Sequence, residues 1–343
     1  MNPLLKQYIL SAIKFLVFLA LGAFLVWLAV RGLTEDDKAQ IHRALSEANY
    51  IWVALSVLLG IVAHLSRAVR WKMLFAPMNL HPKLSNIFYA VMIGYLGNLV
   101  INRLGEVLRC TILKRYEKIP LTQSFGTVIA ERMIDTVVVL MLFSISIWIE
   151  YNRLQTYISE NIISPLKLRL YSYAENTMLL FLAAGFGIAV ILLIFAFRKK
   201  ISRNPITHKI RALLLNFLEG IKSVAKVKSP FWFIFHSLFI WTMYLMTVYV
   251  CIFAFTETKS MTLTDCLVIM CFGSLGVMAT PGGIGAYQWI VLQIMLLWGF
   301  STAMGVAFGW VVWLAQTITV LAVGLLSFGL LALGNKEETT PNP

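Results

Sequence analysis

The stretch VMATPGGIGAYQW, Val277–Trp289, interrupts a long apolar run with Pro281, Gly282, Gly283 and Gly285. Proline lacks a backbone donor and breaks a regular helix. Adjacent glycines accept the positive φ that a sharp reversal needs. At membrane depth, irregular backbone is tolerated only where it is buried in protein or lines a watery cavity. The stretch is therefore predicted to be the tip of a re-entrant hairpin, with 262–279 descending and 284–299 returning. The alternative is a Pro-Gly kink in one long helix.

Composition supplies the membrane. Of 343 residues, 59% are hydrophobic and 13% charged, and the mean hydropathy is +0.79. Apolar segments fall at 11–33, 50–66, 86–101, 122–149, 177–197, 231–255, 262–279, 284–299 and 302–333. Several reach the roughly 20 residues that cross a bilayer core. The first of them is read as a retained helix, because no cleavage-type site follows it before RGLTEDDK. A net charge of +13 is assigned to cationic cytoplasmic loops rather than to nucleic acid. Cys110, Cys251, Cys266 and Cys271 show no CxxC spacing, and the five histidines no HExxH pairing. Neither a disulfide framework nor a metal site is expected.

Loop charges orient the helices. Residues 64–118 and 198–229 each carry nine Lys or Arg, against Glu106 and Glu117 in the first and Glu219 in the second. Residues 34–49 are acidic and 150–176 balanced. The basic stretches are placed in the cytoplasm and the others outside. Segment 86–101 then has no room to cross, because bases resume at Arg103 and continue to Lys118. It is expected to break near GNLVINRLGE and return as a half-helix over about 104–115. Two interrupted segments entering from opposite faces point to a midplane site of the kind found in transporters. The fold expected is an all-α integral membrane protein: a polytopic helical bundle with about six full crossings plus two re-entrant hairpins, about eight segments in all. Residues 1–335 form one transmembrane domain and 336–343 a polar tail.

Three charged clusters fall where charge is costly. Arg67, Arg70 and Trp71 lie in HLSRAVRW; Arg103, Glu106 and Arg109 recur every three residues in INRLGEVLR; Glu131, Arg132 and Asp135 lie in AERMID. Arg67 and Arg70 either snorkel to lipid phosphates or line a site. The acids at 131 and 135 either form a structural ion network or face a polar pathway. The arginine fork suits phosphate. The predicted head-group ligands are Arg67, Arg70, Arg103 and Arg109, with Glu106, Glu131, Arg132 and Asp135 for charge balance or proton coupling. Pro281, Gly282, Gly283, Gly285 and Gln288 form the tip.

SRAVRWKMLF, NRLGEVLR, ERMID and TPGGIGAYQ, in this order, make the chain resemble the lysylphosphatidylglycerol synthase transmembrane-region family, also called flippase-like or UPF0104. The resemblance covers about Leu10 to Leu333. It implies the membrane part that translocates aminoacylated phosphatidylglycerol, which in bifunctional members accompanies a separate synthase domain. Here the chain stops at Pro343, so a stand-alone translocase-like unit is expected. Gln288 stands where the family usually has a glutamate, which implies a different lipid preference.

The leading expectation is a lipid flippase. It would move an anionic or modified phospholipid, or a polyprenyl-phosphate-linked lipid, across a prokaryotic inner membrane, with both termini cytoplasmic. No Walker loop is present, and no cofactor or metal is called for. The alternatives are a membrane enzyme, which lacks a nucleophile–base pairing, and a scaffold for a cell-envelope lipid synthase, using Gly305 and Gly309 as a helix interface.

Overall fold

The computed structural model describes residues 20–101, 103–151, 153, 155 and 227–335. Segment 177–197, the basic stretch 198–226 and Asn102 lie outside them. The chain forms two compact units, one of Met1–Ser146 with Ser223–Pro343 and one of Ile147–Lys222. The three charged clusters and both interrupted segments belong to the first.

The described residues are helical, without strands. The helices are α1 (Ala20–Val30), α2 (Glu35–Glu47), α3 (Tyr50–Met73), α4 (Leu84–Val100), α5 (Leu104–Tyr116), α6 (Leu121–Ile149), α7 (Pro230–Cys251), α8 (Leu263–Ala279), α9 (Ala286–Leu297) and α10 (Thr302–Gly334). Among the described residues, four helical stretches are long and apolar enough to cross a bilayer: Tyr50–Met78, Leu121–Ile149, Pro230–Ala254 and Thr302–Gly334. Helix α2 lies in the acidic connector, which the sequence reading left without a helix. A capping box starts it: Thr34 Oγ1 accepts from the Asp37 amide at 3.1 Å, and Asp37 Oδ2 accepts from the Thr34 amide at 2.9 Å. The same device at Thr262 and Asp265 starts α8.

Both expected interruptions are present. Helices α4 and α5 pack as one hairpin, and α8 and α9 as another. In the first, a Cβ on Gly105 would lie 2.2 Å from the Gly94 carbonyl oxygen, so the two backbones touch. Small residues permit that approach between helices in lipid. In the second, Gly282, Gly283 and Gly285 have φ of 62°, 80° and 78°, as a reversal requires, and a kinked continuous helix is excluded.

Helix α10 orders the two hairpins along its length. A Cβ on Gly305 would meet Leu292, and one on Gly309 would meet Gln288. Trp313 Nε1 donates to the Gly282 carbonyl at 2.8 Å. Further on, Gly324 faces Met92 and Leu96, and Asn335 exchanges side-chain hydrogen bonds with Asn86 at 3.1 and 3.2 Å. From Gly305 to Asn335 the helical rise is about 45 Å. The hairpins therefore run toward each other from opposite ends of α10. Their tips meet where a Cβ on Gly282 would lie 3.0 Å from Leu99.

Candidate functional site

Helix α3 extends beyond the expected 50–66 to Met73, which puts Arg67 and Arg70 inside it. They do not snorkel: their exposures are 3% and 0%. Their three-residue spacing keeps both on one face, toward α6. There Glu131 and Asp135, one turn apart, answer them. Arg67 Nη1 lies 2.6 Å from Glu131 Oε1 and 2.8 Å from Asp135 Oδ2. Arg70 Nη2 lies 2.7 Å from Asp135 Oδ1 and 3.4 Å from Glu131 Oε1. From α5, Arg109 Nη1 reaches Glu131 Oε2 at 3.0 Å. Glu131 is thus shared by three arginines, and α6 is joined to α3 and α5 through these side chains. Asp135 lies fourteen residues into α6, about 21 Å along its axis.

The surroundings hold the guanidinium groups in place. Arg109 lies 4.7 Å from the centre of the Trp71 ring, and Trp71 Nε1 donates to Thr127 Oγ1 at 2.9 Å. Arg70 donates to Ser237 Oγ at 3.1 Å. Arg67 lies 6.0 Å from the Tyr244 ring. Thr127, Ser237 and Tyr244 escaped the sequence reading, since nothing in their local spacing separates them from ordinary helix positions.

Three buried guanidinium groups against two buried carboxylates leave one positive charge over, because arginine does not deprotonate. Hydrogen bonding is incomplete as well. The Nε atoms of Arg67, Arg70 and Arg109, and Nη2 of Arg109, are buried without a partner, as is Glu106 Oε2. Such groups are uncommon in folded proteins. Arg109 and Glu106 line a cleft between α4, α5 and α6 with Tyr95, Asn98, Gly105 and Arg132. Its free volume of about 10 Å³ holds about one water molecule. Arg132, placed by sequence three residues before Asp135, turns instead to Glu106. That pair is long, 3.8 Å, and half exposed on the arginine side; such pairs contribute about 0–1 kcal/mol.

Arg103 does not join the cluster. It is exposed and precedes α5 with a φ of 70°, so the period-three face begins only at Glu106. The Pro281–Gly285 tip contacts Leu99, Trp313 and Gly22, and no contact joins it to the arginines among the described residues. Leu99, against which the tip lies, follows the cleft residue Asn98 in sequence. Gln288 is buried, and its Oε1 accepts from the Gly285 amide at 2.8 Å. Gln288 thus caps the start of α9. All four cysteines are free and buried. Among the described residues no group of three His, Cys, Asp or Glu could hold a metal.

A family profile described as Lysylphosphatidylglycerol synthase TM region matches residues 12–324. The UPF0104 membrane protein MJ1595 of Methanocaldococcus jannaschii is 30% identical over 138 residues, 39% of this chain and 38% of that protein; the match thus spans well under half of that relative's length. A UPF0104 membrane protein of Methanothermobacter thermautotrophicus is 22% identical over 308 residues, 83% of this chain and 88% of that protein. No solved structure shows significant similarity.

Proposed function

This chain belongs to the lysylphosphatidylglycerol synthase transmembrane-region family, and from that premise we propose that it moves a lipid between leaflets. The substrate is an anionic or modified phospholipid, or a polyprenyl-phosphate-linked lipid. The protein acts as a translocator in the prokaryotic inner membrane and not as a catalyst, with a cell-envelope lipid synthase as its natural partner. The observation that carries the reading is the buried arginine cluster with one charge in excess, opening onto a cleft with unpartnered donors. Surplus guanidinium at membrane depth matches a phosphate. In this reading Arg109 holds the phosphate, Arg103 receives it at the hairpin tip, and Arg67 and Arg70 set the field with Glu131 and Asp135. The test is transport per folded molecule. Arg109→Ala is expected to reduce it about a hundredfold, and Arg109→Lys, which keeps the charge and loses the fork, to recover part of it. Wild-type specific transport in Arg109→Ala contradicts the assignment.

The topology that goes with this reading has six crossings and two re-entrant hairpins, with both termini in the cytoplasm. The opposed hairpins along α10 support it. Cysteines at the exposed positions Ser85 and Lys114, in a cysteine-free background, are expected to label from the cytoplasm. Those at exposed Thr264 and Ser301 are expected to label from outside. Labelling of Lys114→Cys only from outside would make the first hairpin a true crossing.

A further inference from the structure

A cavity of about 320 Å³ lies where the end of α2 and the start of α3 meet the connector between α7 and α8. That volume falls within the range of small-molecule sites. Trp52, in its wall, precedes Arg67 on α3 by about 22 Å of helical rise, so the cavity is separate from the cleft at Arg109. Its frame is fixed by hydrogen bonds. The Asn49 amide donates to the Ala254 carbonyl at 2.9 Å, and Asn49 Oδ1 accepts from the Ile51 amide at 3.1 Å. The buried Thr258 hydroxyl donates to the Ile252 carbonyl at 2.6 Å, which holds the connector in its turn. The rings of Trp52 and Phe253, 5.0 Å apart, make one apolar wall. Glu47 and Lys259 line the same cavity. Among the described residues neither has an ion-pair partner, and they do not pair with each other. Helix α2 ends at Glu47 with no basic residue in its last turn, so the negative end of the helix adds to that carboxylate.

We propose that this cavity binds a small zwitterion, a free α-amino acid with an apolar side chain. Its ammonium meets Glu47, its carboxylate meets Lys259 and the side-chain N–H groups of Asn49, and its side chain lies on Trp52 and Phe253. Charge selects this class. A simple amine meets Lys259 as a like charge, and a simple carboxylate meets Glu47 as one. A neutral sugar leaves both charges unanswered. The two rings select an apolar side chain, since a charged one would be desolvated there without a partner.

The site stands apart from the lipid reading, and its test is binding alone. Purified full-length protein in detergent is titrated calorimetrically with phenylalanine, glycine, phenethylamine and 3-phenylpropionate. Phenethylamine lacks the carboxylate and 3-phenylpropionate lacks the ammonium. Phenylalanine is expected to bind about tenfold more tightly than each of the other three. Glu47→Gln and Lys259→Gln, both at exposed positions, should keep the wild-type melting temperature without ligand. The first should weaken phenylalanine about tenfold and leave 3-phenylpropionate no weaker. The second should weaken phenylalanine by as much and leave phenethylamine no weaker. Absence of phenylalanine binding up to about 10 mM overturns the proposal. So does an amine, an acid or glycine that binds as tightly as phenylalanine, or tighter phenylalanine binding in Lys259→Gln. Transport plays no part in these readouts, so a protein that moves no lipid can still hold this site, and one without the site can still move lipid.

Discussion

Glu131→Ala is expected to abolish the folded protein or reduce its yield to a small fraction of wild type. Glu131 is wholly buried and accepts charge from Arg67, Arg70 and Arg109 at 2.6, 3.4 and 3.0 Å. Removing it leaves Asp135 as the one buried carboxylate facing three guanidinium groups. Breaking a buried ion pair from one side costs about 3–5 kcal/mol, a large share of a typical stability of about 5–15 kcal/mol. The loss also unties α6, which Glu131 and Asp135 link to α3 and α5. Glu131→Gln retains one acceptor oxygen, while its amide N–H groups face guanidinium donors, and it should fall between alanine and wild type. The measurement is monodisperse yield with thermal unfolding. Wild-type yield and melting temperature in Glu131→Ala would mean that the cluster does not hold these helices together.

The second large effect concerns the tip of the second hairpin. Gly283→Val and Gly285→Val are each expected to abolish transport. Gly283 has a φ of 80°, and an added Cβ would lie 3.1 Å from the Val277 side chain; Gly285 has a φ of 78°, and an added Cβ would lie 2.0 Å from the Gly22 carbonyl oxygen of α1. A β-branched residue at positive φ is a steric outlier before any neighbour is counted. The displaced tip would also lose the Trp313 hydrogen bond to Gly282 and its seat against Leu99. Transport should fall while α3 and α7, which pack on each other, keep their helicity. Full transport in both variants at normal expression would remove the tip from the pathway.

How far these features were legible depends on whether their causes are local. The break at Pro281–Gly285 was, because proline and glycine act on their own backbone. So was the pairing face of Arg67 with Arg70 and of Glu131 with Asp135, since helical spacing fixes it. The α2 helix could have been found, as Thr34 and Asp37 form a local capping signal. Partners across helices could not. Arg132 lies at helical spacing from Asp135 yet comes nearest to Glu106, at 3.8 Å across to α5. Arg103 shares the period of Glu106 and Arg109 but falls before the helix starts, so the period carries no face there. Gln288 reads in sequence as a changed head-group contact, and in the structure it caps its own helix. Trp313, which holds the tip through one backbone carbonyl, gives no sign in the sequence.

Two arrangements meet in this protein: hairpins opposed along α10, and a charged cluster whose excess faces the cleft between α4, α5 and α6. In the proposed reading they form a polar route for a head group through an apolar bundle. The most direct measurement is leaflet exchange in proteoliposomes. Purified protein is reconstituted with a panel of acyl-labelled phospholipids, and the label exposed to an external quencher is followed with and without an imposed proton gradient. The account predicts protein-dependent loss of the inner-leaflet signal for at least one phosphate-bearing lipid, absent from vesicles carrying Gly283→Val. Retention of the inner-leaflet signal for every lipid, under both conditions and with correctly folded wild-type protein, would contradict it.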